Sequence, residues 1–490
     1  MERFAVAVVA DAPVRAACLA DAVMSKSTGA STNNAREGYS SPTRAVVALF
    51  ALLALGACND AITLEIASDR PVPSAIDAIC VAVADSSMSG GHFGRAYRLD
   101  DALDHLPQTL RIDPGDADGA FAWVRADRGG VPALLATANV DFGSDVTLSL
   151  PRCQKGGGGA PNAVGTAAGP ADALLAASTG QGGTLAIAVG ADGTAAILDA
   201  RSGALVAGDT PPLPAGTPVA LVAADIDGDC DDDLIVATTM AAPVIWIREG
   251  ATFTAGASIG ESPVAALAAA DVDRDTDVDL VIGGGNMLAL YLNNGAGAFT
   301  ADPSKLSAGS RASAISALAL GDLDGDGNAD LVVGQAGPPL VAWLGAGGNF
   351  SPADAVVPPV PLDVASLTLA DSDGDYDPDL AVAVRGAPMR LYVDRDGRLE
   401  DQSYVRLPRP IATDVRAVAF GGWDAGCAPD AILATADGAP TLSGLDEGGF
   451  AAETTTTPAS ATGVVFVDLD DDGHLDALVS TNEGVRWLVR

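Results

Sequence analysis

Five segments of the chain are written in one frame: DIDGDCDDDLIVA from Asp225, DVDRDTDVDLVIG from Asp271, DLDGDGNADLVVG from Asp322, DSDGDYDPDLAVA from Asp371 and DLDDDGHLDALVS from Asp468. A sixth, GWDAGCAPDAILA from Gly422, keeps the spacing with glycine at its first and fifth positions, and Ser178 to Val189, STGQGGTLAIAV, keeps only the outline. Successive starts lie 47, 46, 51, 49, 51 and 46 residues apart. No other feature of the sequence limits the fold as much. One such unit is too small to bury an apolar face alone, so the units must stack on copies of themselves as a solenoid or a propeller.

The strand pattern selects the propeller. Each acidic segment follows an alternating run (ALAAAD, LALGD, LTLAD, VVFVD) and precedes a short apolar one (DLIVA, DLVVG), both of strand length. A third run carries an aromatic residue at a similar offset, namely Trp246, Tyr291, Trp343, Tyr392 and Trp487, and a glycine-rich turn leads to a fourth, as in YLNNGAGAFT. Four strands per repeat make one blade. The chain is therefore read as all-β, with a seven-bladed β-propeller over 162–490 and the aromatics packed between blades. The last repeat reaches Arg490 after three strands, and residues near Asn162 to Ala168 are expected to supply its fourth so that no edge stays open. Ahead of the repeats, 58–153 alternates apolar and polar residues between Pro, Gly and Asp clusters, which predicts a small β-sandwich. A glycine-rich joint, 154–170, connects the two.

Carboxylates fall at positions 1, 3, 5 and 9 of each frame, and 25 of the 64 acidic residues of the chain lie in these five loops. Like charges at that density repel strongly, and nothing nearby in sequence is expected to offer Lys or Arg to offset them. A divalent cation removes the repulsion. Ca²⁺ takes six to eight oxygens at flexible geometry, from side chains at positions 1, 3 and 5, a backbone carbonyl at 7 and a carboxylate further on. The candidate ligand positions are Asp225, Asp227, Asp229, Asp231 and Asp233; Asp271, Asp273, Asp275, Asp277 and Asp279; Asp322, Asp324, Asp326, Asn328 and Asp330; Asp371, Asp373, Asp375, Asp377 and Asp379; and Asp468, Asp470, Asp472, His474 and Asp476. Gly327 and Gly473 stand at position six, where the chain turns sharply, whereas Cys230, Thr276 and Tyr376 in the same place are expected to weaken their sites. The ninth residue is Asp and strands flank the loop, which disfavours the helix-flanked version with Glu at position 12.

These segments resemble the D-x-D-x-D-G-x-x-D calcium loops of FG-GAP/VCBS repeats, as in the integrin α-subunit propeller. The likeness covers roughly Asn162 to Arg490 and departs from the pattern at Gly422 and Ser178, where no calcium is expected. It implies about five Ca²⁺ sites that stabilise blades, and a propeller that presents its loops to a protein or glycan partner.

The N-terminal part reads as an address. Arg44 precedes an apolar run, Ala45 to Leu55, too short to span a bilayer, and Leu55-Gly56-Ala57-Cys58 resembles the lipobox of bacterial lipoproteins. Residues 1–57 are thus expected to be an export signal, with Met24 as an alternative start, Cys58 lipidated, and the protein exported and held at the membrane by its lipid anchor only. In an oxidising compartment Cys80 and Cys153, near the ends of the small domain, are expected to pair. Cys230 and Cys427 sit at the same position of two distant loops; a bridge between them is conceivable, but free thiols are expected. The formal charge of −37 leaves no basic footprint for nucleic acid.

Material for catalysis is thin. The three histidines, His92, His105 and His474, form no cluster in the sequence, and no phosphate loop or HExxH segment is present. Gly256 to Gly260 fits G-x-S-x-G but lies between strands, not at a strand-to-helix elbow. A non-catalytic binding or adhesion module is the leading expectation; a propeller enzyme acting on polysaccharide, as lyase or hydrolase, and a structural envelope protein are the alternatives.

Overall fold

In the computed structural model the described residues are Val6–Val8, the strand segments between Ile62 and Ser149, and 163–489 apart from short stretches that include 199–209, 307–313, 422–428 and 468–474. Apart from Val6–Val8, residues 1–57, expected to be an export signal, lie outside them, as do Cys58, Cys153, Cys427 and most of the joint. Strands dominate throughout, and among the described residues no helix is long and apolar enough to cross a membrane.

The N-terminal part holds two four-stranded sheets. One runs in the order Val6–Val8, Gln108–Ile112, Ile62–Ala67, Asp145–Ser149, its last pair parallel. The other runs Phe93–Arg98, Ala78–Asp85, Ala120–Arg128, Val131–Val140. Leu64 and Ile66, two residues apart and so on one face, are fully buried in the first sheet, as is Ile79 in the second. Processing at Cys58 would remove Val6–Val8 and leave Gln108–Ile112 as an edge.

Among the described residues from 163 onward, antiparallel strands follow in seven groups in chain order, referred to here as blades 1 to 7; blades 4 and 5 are joined into one eight-stranded sheet through the pairs Ala336↔Asp363 and Pro339↔Pro361. The described part of blade 1 has three strands, Leu174–Ser178, Leu185–Val189 and Ala195–Leu198. Blades 2 to 6 have four each, over 218–258, 266–301, 315–352, 361–401 and 415–455. Blade 7 takes three strands from 461–489 and its fourth from Ala163–Ala167, which pairs with Gly484–Val489 in the register Val485↔Ala167 to Val489↔Ala163. The first strands of successive blades touch in order, and that of blade 7 touches that of blade 1, so the sheets close into a ring.

Burial explains the strand sequences. The second strand of a blade is covered on both faces by its neighbours: DLIVAT, DLVIGG, DLAVAV, DAILAT and DALVST are buried at every position, hence their unbroken apolar runs. First strands are mostly half-buried along their length, and Ala266–Ala270 alternates buried with half-buried positions. A bulge recurs early in the first strand of blades 2, 4, 5, 6 and 7 and adds local twist there. Among the described residues the core of the ring forms seven apolar clusters, each between adjacent blades, one of them joining blade 7 to blade 1 through Val467, Leu478 and Val485 against Ala173, Ala186 and Ala188. Trp246, Trp343 and Tyr392 are fully buried in three of these clusters, and Tyr291 and Trp487 pack half-buried against two more. Gly256 to Gly260 lies on and just beyond the exposed fourth strand of blade 2, with no helix after it.

Candidate metal centres

Each acidic loop joins the first to the second strand of its blade and is tied by its own carboxylates. The position-one aspartate receives backbone N–H groups from positions four, five and six. Gly228, Asp229 and Cys230 donate to Asp225 at 2.9, 3.2 and 3.0 Å, and Arg274, Asp275 and Thr276 donate to Asp271 at 2.7, 3.2 and 3.0 Å. Asp322 accepts from Asp326 and Gly327 in the same way, at 3.1 and 3.0 Å. Wrapping three N–H groups round one carboxylate forces left-handed backbone at two places. Position four has φ of 77°, 69° and 73° at Gly228, Arg274 and Gly325, and position six has 72°, 76° and 79° at Cys230, Thr276 and Gly327. The sequence pointed to the sharp turn at position six; the second, at position four, carries the weaker signal of glycine in D-G-D.

Position nine has a separate job. Asp233, Asp279, Asp330 and Asp379 are buried at the start of the second strand. One oxygen of each accepts the N–H of position two, from Ile226, Val272, Leu323 and Ser372, at 2.7–3.1 Å. The other accepts from the third strand or the turn after it, from Arg248, Asn293, Gly345 and Asp394, at 2.7–2.8 Å. This is a staple within the blade. Asp430 keeps it in blade 6, where Gly444 donates at 2.8 Å, although its loop has lost the acids of positions one and five. Burial pushes the Asp233 carboxyl up to about 9 and those of Asp279, Asp330 and Asp379 up to about 7, against hydrogen bonds that pull each down.

The open part of each site is built from positions one, three, and five or nine. Carboxylate oxygens lie within 4.8 Å of one another in four groups: Asp225, Asp227 and Asp229; Asp271, Asp273 and Asp279; Asp322, Asp324 and Asp330; Asp371, Asp373 and Asp375. In three of these the position-three aspartate holds a buried oxygen, Oδ1 of Asp227, Asp273 or Asp373, that has no hydrogen-bond partner. A buried carboxylate oxygen without a donor is costly, and it is the atom a bound cation would satisfy. Hard oxygen donors in this number suit an ion of the Ca²⁺ or Mg²⁺ type. Burial, with neighbouring carboxylates adding to it, pushes Asp229 up to about 8 and Asp375 up to about 6 and raises Asp227, Asp275, Asp277 and Asp324.

Position-seven side chains do not join these groups. Asp231 accepts from Gly250 at 3.2 Å and Asn328 from Gly347 at 3.1 Å, so both tie the loop to the hairpin turn of their own blade, while their N–H groups donate to position five. Asp277 and Asp377 donate to position five likewise. Asp468, Asp470, Asp472 and His474 lie outside the described residues, as does the loop at 422–428; Asp476 is buried at the start of the second strand of blade 7.

The loops at 225–233, 271–279 and 322–330 also rest on the hairpin of the next blade. Ile226 of blade 2 accepts from Gly297 and from the Asn293 amide of blade 3, at 3.1 and 2.7 Å. A methyl group added at Gly348 of blade 4 would stand 2.7 Å from Cβ of Asp273, and one at Gly397 of blade 5 would stand 3.2 Å from Cβ of Asp324. Glycine in these turns allows that approach. Blade 1 lacks the loop and is joined to blade 2 differently: buried Arg248 donates to the Ser178 carbonyl and, at 2.7 Å, to its hydroxyl.

Two sequence expectations need correction. Cations do reach the loops: Lys305 pairs with Asp273 at 3.4 Å, and Arg395 and Arg406 pair with the loop at 371–379. They come from hairpins and connections more than 15 residues away, and Arg274 stands inside one of the loops, which a search for flanking basic residues overlooks. Cys230, expected to be a free thiol, is disulfide-bonded.

The FG-GAP-like repeat family matches the chain at residues 225–282, 271–333 and 322–382, each match running from one acidic loop through the second strand of the next blade. No curated protein matches the sequence. Among solved structures, the chain is similar to the BP39L lectin from Burkholderia pseudomallei at 15% identity, over 65% of this chain and 96% of that one, with a TM-score of 0.50. It is also similar to BBS1N, solved in complex with ARL6DN (14% identity, 68% of this chain and 97% of that one, TM-score 0.46), and to an Agrocybe aegerita lectin solved for its recognition of non-reducing terminal N-acetylglucosamine (15%, 63% and 84%, TM-score 0.43). At these identities the likeness concerns the fold. The chain thus carries FG-GAP-like repeats on a propeller-type fold.

Proposed function

We propose that the protein is an exported, lipid-anchored binding module whose propeller is stabilised by Ca²⁺ and engages a protein or glycan partner. The observation that carries the calcium reading is the buried, donor-less Oδ1 of Asp227 and Asp273, in carboxylate groups that also hold the position-one aspartates of the same loops. The chain's own residues do the positioning. Position one folds the loop through its N–H contacts, position nine fixes the loop to the blade, and the remaining oxygens of positions one, three and five are left to face an ion. When bound, the ion supplies the positive charge that lets these carboxylates stay ionised and close together. Because the loops at 225–233, 271–279 and 322–330 also seat the hairpin of the following blade, ion binding there stiffens contacts between blades as well as within them.

The binding role follows from a rigid ring whose connecting loops are free to vary, the usual place for recognition residues. Calorimetric titration with Ca²⁺ tests the metal, with uptake of several ions per chain expected and no uptake refuting it. A glycan array and a pull-down with the chain from Cys58 onward test the partner; binding to neither class at micromolar protein would remove the recognition role.

A further inference from the structure

The four described acidic loops are not equivalent. In the loop at 371–379, Asp373 is nine-tenths buried, with 7% of its side chain exposed, and its Oδ2 is held by two guanidinium groups. Arg406 Nη2 lies at 2.9 Å and Arg395 Nη2 at 3.2 Å, and Arg395 Nη1 reaches Asp375 Oδ2 at 3.3 Å. Arg395 thus bridges positions three and five, two of the carboxylates that would share an ion. It comes from the hairpin of blade 5; Arg406 ends the single-turn helix Ser403–Arg406 that leads toward blade 6 and is itself only 12% exposed. The loop at 271–279 has one looser partner, Lys305 at 3.4 Å. Among the described residues no cation pairs with Asp227 or Asp324, the equivalent positions of the other two loops.

We propose that the loop at 371–379 is closed by its own arginines: Arg395 and Arg406 take the place of a divalent cation, so this loop stays ion-free where the loops at 225–233 and 322–330 fill. The inference rests on the calcium reading of the other loops. Its physical basis is competition for the same carboxylates: the guanidiniums hold Oδ2 of Asp373 and of Asp375, and leave only Oδ1 of Asp373 without a donor. Two guanidiniums supply two positive charges, as one Ca²⁺ does, but they are tethered and half or more buried, so they act at high effective concentration and need no uptake from solution. An arriving ion would have to displace both and leave Arg406 without its carboxylate in a mostly buried position, which adds a penalty that the other loops do not impose.

Counting bound ions in the full chain by equilibrium dialysis with Ca²⁺ decides the matter. Asp373→Asn is expected to bind as many ions as wild type, whereas Asp324→Asn loses one. The double variant Arg395→Gln/Arg406→Gln is expected to gain one. Loss of an ion in Asp373→Asn, or no gain in a folded double variant, overturns the proposal while leaving calcium binding elsewhere intact. If the double variant fails to fold, the two aspartate variants decide alone. Absence of Ca²⁺ uptake by wild type and every variant overturns this inference and the metal reading together.

Discussion

The loops at 271–279 and 322–330 fold alike from unlike residues. Positions four and six are Arg274 and Thr276 in the first and Gly325 and Gly327 in the second, yet φ differs by no more than a few degrees, 69° and 76° against 73° and 79°. Glycine reaches that region freely, whereas a β-branched threonine there is a true outlier and costs about 1–2 kcal/mol. The turn is therefore imposed by what it encloses: the position-one carboxylate that gathers the N–H groups and, on the present reading, the ion behind it. The loop at 322–330 is preformed for its cation; the loop at 271–279 is bent into shape by its interactions.

Removing the ion should have the largest effect and separate the two loops. If Ca²⁺ is present at about thirty times Kd, each site contributes about 2 kcal/mol. Three filled sites then amount to about 6 kcal/mol, and a chelator is expected to lower the unfolding midpoint by about ten degrees or more. Amide exchange should rise first at 271–279, where the left-handed turns fall on Arg274 and Thr276 and not on glycine. Identical melting curves with and without chelator, or equal exchange in both loops, would break the comparison.

The response to pH follows from the raised carboxyls. Asp279, Asp330 and Asp379 titrate near 7 when folded, above their unfolded value of 3.8, so the ion-free native state holds more protons than the unfolded chain between those limits. The stability of that protonated form is fully present below pH 3.8 and is lost as pH rises through about 7. In chelator the midpoint should thus fall from pH 5 to pH 8. With Ca²⁺ the slope should flatten or reverse, because an ion favours the ionised form. Equal slopes in both conditions would mean that no cation senses these groups.

Next in size is a contrast between positions. Asp330→Ala leaves the N–H groups of Leu323 and Gly345 buried without an acceptor, a loss of about 3 kcal/mol already in chelator, and in Ca²⁺ it also removes one carboxylate of the ion's group. Asp324→Ala should cost about 2 kcal/mol in Ca²⁺ and nearly nothing in chelator. Chemical denaturation of both variants in both conditions checks this; no loss from Asp330→Ala in chelator would remove the staple.

That division of labour was hidden in the sequence. The frame D-x-D-x-D-x-x-x-D shows recurrence, strand order and the need to neutralise charge, because each is written in local spacing. It presents positions one, three and nine as equal carboxylates, although one folds the loop, one is left open and one staples the blade. The clearest hint was Asp430, kept after its loop had lost the acids of positions one and five. Arg395, Arg406 and Lys305 were not legible as partners at all, since the hairpins and connections that carry them meet the loops only once the ring has formed. Arg248 and Ser178, 70 residues apart, are a further case.

The smallest effect bears most directly on the opening comparison. Thr276→Gly removes the left-handed strain, worth about 1–2 kcal/mol, but returns backbone freedom to the unfolded chain, worth up to about 1 kcal/mol. The net gain should be about 0.5–1 kcal/mol, measured by denaturation in Ca²⁺. The reciprocal Gly327→Thr should lose at least as much, and space is not the obstacle: the new Cβ would meet only the end of the Arg274 side chain, at 3.4 Å, which can move. In chelator the loop at 271–279 is free to leave the left-handed region, so the gain from Thr276→Gly should vanish there. A gain that persists unchanged without Ca²⁺ would show that the N–H contacts of Asp271 alone hold the turn, and that the ion has no part in bending it.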